Sequence, residues 1–309
     1  MVDAMPAVAR LQVAPSGPGL SRLVFGTWRL LDDEAGATPE AIVARLEACV
    51  DLGVTTIDTA EVYGRYEVEE RLGVAFQSRA GLREKLQIVT KCGIYVPVPR
   101  HPERTIAHYN TTRERIVKSA EKSLKLLGTD RIDLLLIHRP DWLTPADETA
   151  AGLERLLEDG KILSAGVSNY SVAQFETLQS RLSRPLVTNQ IELSLLERGP
   201  LGDGTLDQCE RLRINPMAWS PLGGGRLFGE DEAAVRIRAT CEELAPKYGG
   251  ASIEALAMAW ILALPSTPLV VFGTNKLDRI RAAARSAEIT LEREDWYRLW
   301  QAAAGRRVP

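Results

Sequence analysis

Short apolar runs alternate with longer amphipathic stretches along most of the chain. Each run is rich in Val, Ile and Leu, and the stretch after it carries apolar residues three and four positions apart, as a helix packed on one face does. Strands are predicted at residues 23–25, 54–57, 86–89, 134–137, 162–167, 187–191, 216–219 and 269–272. Helices are predicted at 39–52, 67–77, 112–127, 146–159, 171–182, 204–213, 232–264 and 276–284, with one more at 292–303.

The eight strand–helix repeats predict an α/β fold, a (β/α)₈ TIM barrel that spans residues 1–309 as a single domain. Strands alternating with helices favour a parallel sheet. Residues 134–137 read Leu-Leu-Leu-Ile, which is typical of a strand buried on both faces. An open, doubly wound sheet is the competing fold, but its G-x-G-x-x-G sequence does not follow the first strand. The barrel places an active site where the strands end.

Composition and charge exclude several classes of function. The 309 residues are 45% hydrophobic and 26% charged, so a core can form without metals or disulfides. The net charge is −3 and no run of Lys and Arg occurs, which disfavours nucleic acid or an anionic membrane as a partner. The first 19 residues lack the apolar core of a signal peptide, and residues 255–264 are too short to span a bilayer. A cytoplasmic protein is predicted.

The cysteines and histidines predict neither a disulfide framework nor a metal site. Four cysteines stand far apart at positions 49, 92, 209 and 241, and the three histidines do not group with them. Reduced cysteines in a cytosolic protein are the expected state. A metal-dependent barrel hydrolase needs several histidines and carboxylates at strand ends, whereas His101 and His108 fall in a predicted solvent-facing insertion, residues 95–110.

Polar side chains that follow three neighbouring strands are the candidate catalytic residues. Asp58 follows the second strand, Lys91 the third and His138 the fourth, and Tyr63 lies in the loop after Asp58. Individually, Asp58 could cap a loop, Tyr63 could be a loop aromatic, Lys91 could reach the surface and His138 could be a core histidine. One geometry explains all four, because the ends of adjacent barrel strands converge on one rim.

These four residue types suit proton transfer to a forming alkoxide. A Tyr hydroxyl is a weak acid at neutral pH, and a nearby ammonium group such as that of Lys91 lowers its pKa. Asp58 can hold Lys91 charged, and His138 can donate a hydrogen bond to a substrate oxygen. The set contains no hydride source, so reduction of a carbonyl compound requires a cofactor.

The chain resembles the aldo-keto reductases over nearly its whole length, from F-G-T-W at 25–28 to F-G-T-N at 272–275. The strand-end Lys and His and the D-x-x-x-x-Y-G element at 58–64 resemble that family's catalytic tetrad. Further likeness, to a bacterial subgroup of oxidoreductases, lies in L-L-L-I-H-R-P-D, G-V-S-N and P-M-A-W-S-x-L-G-G-G-R-L-F. The resemblance implies that Tyr63 is the proton donor, that Lys91 and Asp58 tune it, and that His138 positions the substrate.

The resemblance also implies a set of cofactor contacts. Ser168, Asn169 and Gln190 resemble residues that hydrogen-bond the nicotinamide carboxamide, and Trp219 resembles an aromatic that stacks on its ring, although a core tryptophan is the alternative. Arg279 falls where the family binds the adenine and its ribose phosphate. The remaining positions are Gly26 and Thr27 beneath the cofactor, Ser220, Leu222, Gly224 and Arg226 in a glycine-rich loop, and Gly273, Thr274 and Asn275 before the last barrel helix.

Two of these contacts also have a physical basis in the residues. Backbone N–H groups of the triple glycine 223–225 could cradle a pyrophosphate, although such a stretch can also be only a flexible loop. Residues 273–275 open a helix, whose N-terminus favours phosphate. NADP(H) is the expected cofactor from the family, with NAD(H) open, because Gly273 stands where many NADPH-preferring members carry a basic residue and Lys276 lies three residues on.

The sequence thus predicts an NADP(H)-dependent enzyme that reduces a small-molecule aldehyde or ketone to an alcohol, as a monomer or simple homo-oligomer. The alternative is a subunit that senses nicotinamide cofactors with little turnover, as relatives attached to potassium channels do; the complete set of four catalytic residue types weighs against it. The predicted aromatic rim of the substrate pocket comprises Trp28, Tyr66, Tyr95 and Trp142.

Overall fold

Eight parallel strands close into a barrel in the computed structural model of the chain, which describes residues 8–33 and 35–308. Residues 1–7, 34 and 309 of the predicted domain lie outside the described residues. The barrel strands are β1 (Leu23–Gly26), β2 (Thr56–Asp58), β3 (Gln87–Cys92), β4 (Leu134–Ile137), β5 (Ala165–Ser168), β6 (Leu186–Glu192), β7 (Met217–Trp219) and β8 (Leu269–Phe272).

Neighbouring strands follow the order of the chain around the ring, and the ring closes where β8 pairs with β1 through Val270 and Leu23. This arrangement confirms the predicted (β/α)₈ barrel over the doubly wound sheet. It also places β4 opposite β8, four strands away around the ring. Every residue of β4 and β8 is buried, because helices cover the outside of a parallel barrel.

Helices fill the connections between strands. Their bounds are α1 (Pro39–Asp51), α2 (Val68–Ser78), α3 (Arg113–Leu127), α4 (Ala146–Glu158), α5 (Val172–Gln179), α6 (Thr205–Leu212), α7 (Glu232–Leu244), α8 (Ile253–Leu262), α9 (Leu277–Ala284) and α10 (Arg293–Ala304). Thr38, Ser171 and Ser252 each accept a hydrogen bond from a backbone N–H in the first turn of α1, α5 and α8, and so define where these helices begin.

The predicted helical region, residues 232–264, is divided into two helices, α7 and α8. A short 3-10 turn, Ala245–Tyr248, follows α7, and the chain then reverses through Gly249 and Gly250 at φ values of 65° and 73°. Only glycine adopts such angles without strain, so this pair ends the first helix.

Two antiparallel hairpins lie outside the barrel and were not predicted. Strand Arg10–Gln12 pairs with Gly19–Ser21 directly before β1, and the buried Val13 and Leu20 of this hairpin belong to the core. A second hairpin, Ile94–Tyr95 with His108–Tyr109, begins the predicted insertion after β3. Strands of two or three residues carry too little periodicity for a sequence pattern to detect.

The four cysteines are all buried, in two clusters of core residues that pack the barrel against its helices. Cys49 and Cys241 belong to one cluster, and Cys92 and Cys209 to the other. Burial raises the pKa of Cys49, Cys209 and Cys241 to about 12, and it raises that of Cys92 well above the ordinary value.

Within residues 8–33 and 35–308, no helix is both long and apolar enough to cross a membrane.

Candidate active site

A cleft of about 520 Å³ opens at the carboxyl ends of the barrel strands. Its volume lies within the range of small-molecule sites. Residues at or after the ends of seven of the eight barrel strands contribute to its wall, and β3 contributes none. Those named in the sequence analysis are Gly26, Trp28, Asp58, Tyr63, His138, Ser168, Asn169, Gln190, Trp219, Ser220, Leu222, Gly224, Gly273, Thr274 and Arg279.

Lys91 lies beneath the cleft and connects two of the residues that line it. Its Nζ donates hydrogen bonds to Asp58 Oδ2 at 2.7 Å, to Tyr63 Oη at 2.9 Å and to the Thr59 carbonyl oxygen at 2.9 Å. The three donors of the ammonium group are therefore all used. Lys91 is fully buried and does not line the cleft, so it acts there through its two partners in the cleft wall, Asp58 and Tyr63.

Tyr63 is presented to the cleft by a tight turn, Tyr63–Tyr66, in which Gly64 has a φ of 53°. A Cβ at Gly64 would approach the side chain of Leu31 to 2.6 Å, so this position requires glycine. The phenol ring meets Trp28 edge-on at 4.9 Å between ring centroids. This packing explains why Tyr-Gly stands together in the D-x-x-x-x-Y-G element.

The protonation of Tyr63 differs from the expectation drawn from the sequence. Burial raises the pKa of its hydroxyl, and although Lys91 pulls the pKa down, the burial effect is larger. The hydroxyl is thus fully protonated at neutral pH. Burial alone would lower the pKa of Lys91, but Asp58 and Tyr63 together outweigh it and raise that pKa, so the ammonium stays charged.

His138 follows β4, and its ring centroid lies 5.9 Å from that of Tyr63. Burial, together with the charges of Lys91 and Arg139, lowers its pKa well below the ordinary value, so the imidazole is neutral. Its Nδ1 is buried and has no hydrogen-bond partner within the described part of the chain. An unpaired buried donor is more costly than an unpaired acceptor, so we assign the proton to Nε2, which can donate to a substrate oxygen.

Gln190 connects the catalytic residues to the predicted nicotinamide contacts. Its Nε2 donates to Asp58 Oδ1 at 2.7 Å, and its backbone carbonyl accepts from Ser168 Oγ at 2.9 Å. Asn169, at a φ of 60°, donates from Nδ2 to Ser168 Oγ and accepts from Trp219 Nε1 at 3.1 Å. These bonds fix the orientation of each amide. The amide nitrogen of Gln190, a residue of the cleft wall, therefore donates to Asp58.

Glycines let the backbone come close at the other side of the cleft. A Cβ at Gly26 would lie 3.0 Å from Val271 Cγ1, and one at Gly273 would lie 3.1 Å from the Gly26 carbonyl oxygen. Gly224 and Gly225 have φ values of 67° and 103°, and a Cβ at Gly225 would meet no atom within 4 Å. The strand ends are thus tightly joined, whereas the loop after β7 leaves its backbone open to a ligand.

Three of the predicted cofactor residues are not in the cleft wall. Thr27 is buried and donates from Oγ1 to the Asp58 carbonyl oxygen at 2.9 Å. Asn275 donates to the Arg29 carbonyl oxygen at 2.7 Å. Arg226 donates to the Gly223 carbonyl oxygen at 3.1 Å and lies 3.7 Å from Glu192. Each supports a loop beside the cleft, and their contact with a cofactor stays a prediction.

The aromatic rim is smaller than predicted. Trp28 lines the cleft, but Tyr66 and Tyr95 are buried, and Arg104 of the insertion lies over both rings. Trp142 is 81% exposed and contacts Tyr109 instead of the cleft. Residues whose position in the cleft the sequence analysis missed are Arg29, Arg139, Pro221, Phe228, Glu254, Met258, Val271, Phe272, Ala282 and Ala283, whereas Gly225 belongs to the predicted triple glycine. Arg139 could have been found, since it directly follows His138.

The donor set fits a nicotinamide dinucleotide. Amide and hydroxyl groups lie at the ends of β5 and β6, an indole follows at Trp219, open backbone follows β7, and Arg279 lies near the end of β8. Arg279 makes neither a hydrogen bond nor an ion pair with the residues that the structure describes. A free guanidinium in a cleft is the group that binds phosphate.

Comparison with known protein sequences identifies the family to which this chain is similar. The sequence model of the aldo/keto reductase family matches residues 22–304. The chain is 46% identical to the oxidoreductase YdhF of Escherichia coli, covering 98% of this chain and 100% of that protein. It is 45% identical to a 6-dehydroglucose reductase of Agrobacterium fabrum, covering 94% and 96%. These matches confirm the resemblance noted from the motifs.

Solved structures show the same barrel. A glycerol dehydrogenase from Gluconobacter oxydans superposes with a TM-score of 0.83 at 28% identity, over 96% of this chain and 95% of that one. The thermostable aldo-keto reductase Tm1743, solved with the inhibitor epalrestat, gives a TM-score of 0.77 at 29% identity, over 95% and 99%. The fold is therefore shared with both solved structures.

Proposed function

The chain belongs to the aldo/keto reductase family of oxidoreductases, and we propose that it reduces an aldehyde or ketone with NADP(H), using Tyr63 as the proton donor. The observation that carries the proposal is the contact of Lys91 Nζ with both Asp58 and Tyr63 beneath a cleft that His138 also lines. Reduction of a carbonyl needs one hydride and one proton, and the reduced nicotinamide supplies the hydride when bound.

The hydroxyl of Tyr63 supplies the proton. It is protonated at neutral pH because burial raises its pKa, and the ammonium group of Lys91 at 2.9 Å stabilises the phenolate that remains after transfer. Asp58 keeps Lys91 charged in a place where an unpaired ammonium would be costly. Transfer of the proton therefore produces a Tyr63 phenolate whose negative charge the ammonium group of Lys91 stabilises.

His138 polarises and orients the carbonyl oxygen in this mechanism. Its lowered pKa makes it a poor source of the proton, since it is uncharged at neutral pH. A neutral imidazole with its proton on Nε2 still donates a hydrogen bond, which strengthens as negative charge develops on the oxygen. Tyr63 and His138 would thus both donate a hydrogen bond to the carbonyl oxygen of the substrate, and Tyr63 would transfer its proton to that oxygen.

The preference for NADP(H) is supported by Arg279. This residue lies on α9, after β8, and its guanidinium has no partner among the described residues, as a group that binds a ribose phosphate requires. Lys276 adds a second exposed cation three residues earlier. NADH remains a possible donor, because Gly273 contributes no charge at the end of β8.

The test is oxidation of NADPH and of NADH, followed by absorbance, with a panel of aldehydes and ketones and with two variants. We expect Tyr63→Phe to lower kcat by about 100- to 10,000-fold, the usual contribution of a general acid, while NADPH still binds. Tyr95→Phe is the matched control, since Tyr95 is equally buried but does not line the cleft, and it should keep native turnover. A Tyr63→Phe variant with native kcat would refute the proton-donor role.

The alternative, a cofactor-sensing subunit with little turnover, gives a different result. It predicts that NADPH binds to the native protein and that no carbonyl compound is reduced. The hydrogen-bonded set of Asp58, Tyr63 and Lys91 favours turnover, because a sensing role does not require a proton donor with a compensated conjugate base.

A further inference from the structure

Arg139 is a cation in the cleft that the catalytic mechanism does not use. It directly follows His138 at the end of β4 and lines the cleft together with Tyr63 and His138. Its side chain is half-buried. Its guanidinium carbon lies 5.7 Å from the centroid of the Trp219 ring. The residue is therefore placed beside the reacting groups but outside the hydrogen-bonded set that joins Lys91 to Asp58.

No carboxylate neutralises Arg139 among residues 8–33 and 35–308. No ion pair within 4.0 Å and no side-chain hydrogen bond involves its guanidinium, whereas Arg29, in the same cleft, donates to the Gly224 carbonyl oxygen at 3.0 Å. A half-buried guanidinium has lost part of its hydration, and a charge-assisted hydrogen bond to an anion would compensate for that loss. The contact with Trp219 leaves the N–H donors of Arg139 available.

The charge balance of the cleft leaves Arg139 as a positive centre on the substrate side. Lys91 is paired with Asp58. The charges of Arg139 and Arg226 both act on Glu192, but its ion pair, at 3.7 Å, is with Arg226. Glu254, another carboxylate in the cleft wall, lies on α8, between β7 and β8. Arg139 lies after β4 and Arg279 after β8, on opposite sides of the barrel mouth. The phosphate proposed to bind Arg279 therefore cannot also bind Arg139. The neighbour of Arg139, His138, is the residue proposed to donate a hydrogen bond to the carbonyl oxygen.

From this geometry we propose that Arg139 binds a carboxylate of the substrate, so that the preferred substrates are aldehydes or ketones that carry a carboxylate group. A guanidinium forms paired, charge-assisted hydrogen bonds with a carboxylate, which fix the orientation of the bound molecule. With the carbonyl oxygen at Tyr63 and His138, this second anchor determines which carbonyl compounds are accepted. The inference rests on the proposed function and specifies its substrate.

The experiment compares matched pairs of substrates that differ only in charge. The pairs are 4-carboxybenzaldehyde with methyl 4-formylbenzoate, and succinic semialdehyde with its methyl ester. We expect the native protein to have a kcat/KM about 10-fold or more higher for each acid than for its ester, because charged hydrogen bonds are the strong ones. Arg139→Gln should lower kcat/KM for the acids by about 10- to 100-fold, mainly through KM, and change the esters by less than about 3-fold.

Two further variants separate binding from other effects. Arg139→Lys keeps the charge but loses the paired donors, so it should recover part of the preference for acids. Arg131→Gln is the matched control: Arg131 precedes β4 at the opposite end of the same strand, 51% exposed, and its loss should leave both members of each pair unchanged.

Three results would overturn the proposal. Equal losses on acids and esters would mean that Arg139 acts on the chemistry through Tyr63 and His138. The absence of a preference for acids in the native protein would exclude a carboxylate anchor. A preference for neutral polyhydroxy aldehydes that disappears in Arg139→Gln would assign the residue to hydroxyl groups instead.

Failure of the reductase proposal itself remains distinguishable. If no carbonyl compound turns over, calorimetric binding of 4-(hydroxymethyl)benzoate and of the corresponding benzamide, with NADP⁺ present, tests Arg139 alone. Tighter binding of the benzoate that is lost in Arg139→Gln supports the anchor, and equal binding of the two compounds refutes it.

Discussion

At the scale of single residues, the site depends on an ion pair that water does not reach. Lys91 is fully buried and Asp58 nearly so, and their 2.7 Å contact is accompanied by hydrogen bonds from Gln190 and to Tyr63. Breaking a buried pair by removing one partner is strongly destabilising, because the other charge stays behind without compensation. A substitution of either residue is therefore expected to change both the stability and the proposed chemistry, and it must be tested for both.

Lys91→Met is expected to abolish turnover and to lower the free energy of unfolding by about 3–5 kcal/mol, since it leaves the Asp58 carboxylate buried with Gln190 as its remaining side-chain partner. Chemical denaturation followed by circular dichroism measures the stability. The double variant Lys91→Met/Asp58→Asn should regain much of that stability but none of the activity. If Lys91→Met were as stable as the native protein, the ion pair of Lys91 and Asp58 would be accessible to water.

The sequence predicts which residues come together but not how each is bonded. Asp58, Lys91 and His138 could be identified because each follows an apolar run, and strand ends meet at one rim. The hydrogen bond from Gln190 to Asp58 joins residues 132 positions apart, and no local pattern signals it. The unpaired Nδ1 of His138 and the dominance of burial in the pKa of Tyr63 likewise depend on packing around the finished cleft.

At the scale of elements, α2 is joined to the barrel by a buried carboxyl group. Glu69 of α2 accepts hydrogen bonds from Thr90 of β3 at 2.6 Å and from Ser123 of α3 at 2.9 Å. Burial raises its pKa to about 7, although both hydroxyls act in the opposite direction. The folded protein therefore holds a proton on Glu69 at pH values where an unfolded chain has lost it.

Glu69→Gln should make the protein more stable at alkaline pH. The pKa of Glu69 is higher in the folded protein than in the unfolded chain. Its contribution to the free energy of unfolding is therefore fully present below the ordinary pKa of 4.5 and is lost as the pH rises through about 7. Glutamine stays neutral at every pH. We therefore expect the free energy of unfolding of the variant to exceed that of the native protein by up to about 3 kcal/mol above pH 7 and to equal it below pH 5.

Thermal unfolding at both pH values measures this difference. Glu70→Gln, an exposed carboxyl on the same helix, is the matched control and should show no such crossover. An equal change in Tm at both pH values for Glu69→Gln would mean that the carboxyl is ionised in the folded state throughout.

Elements with long, continuous patterns are predicted best. The bounds of β4 and β8 agree with their apolar runs, since a fully buried strand admits no polar residue. The segment 232–264 has helical periodicity on both sides of Gly249 and Gly250, and the pattern alone does not show that the chain reverses there. The reversal of the chain depends on the backbone angles of these two residues, which the amino-acid composition only partly determines.

At the scale of the whole molecule, the barrel divides its rim into two halves. Strands β2–β4 carry the proposed catalytic residues, and β5–β8 with β1 carry the proposed cofactor contacts. Closure of the ring brings the two halves together, and loops after β1, β7 and β8 are joined by bonds of Arg29 with Gly224 and Asn275. A ligand that bridges these loops should stabilise the entire domain.

NADPH is expected to raise the Tm of the protein in a concentration-dependent manner. Binding to the folded state alone adds about 2.7 kcal/mol at a concentration 100 times the Kd. Arg279→Gln should weaken NADPH binding by about 10-fold or more while leaving NADH nearly unchanged, because only NADPH carries the additional phosphate. Arg281→Gln, exposed on the same helix, is the control. Equal weakening of both cofactors would place Arg279 elsewhere on the dinucleotide.

The burial of the four cysteines has a consequence for the protein under oxidative stress. Peroxide attacks the thiolate form of an accessible cysteine, and here every thiol is both hidden in the core and held in its protonated form by a raised pKa. The proposed chemistry likewise employs a phenol, an amine and an imidazole rather than sulfur. The proposed carbonyl reduction should therefore persist at peroxide concentrations that inactivate enzymes with a reactive thiol.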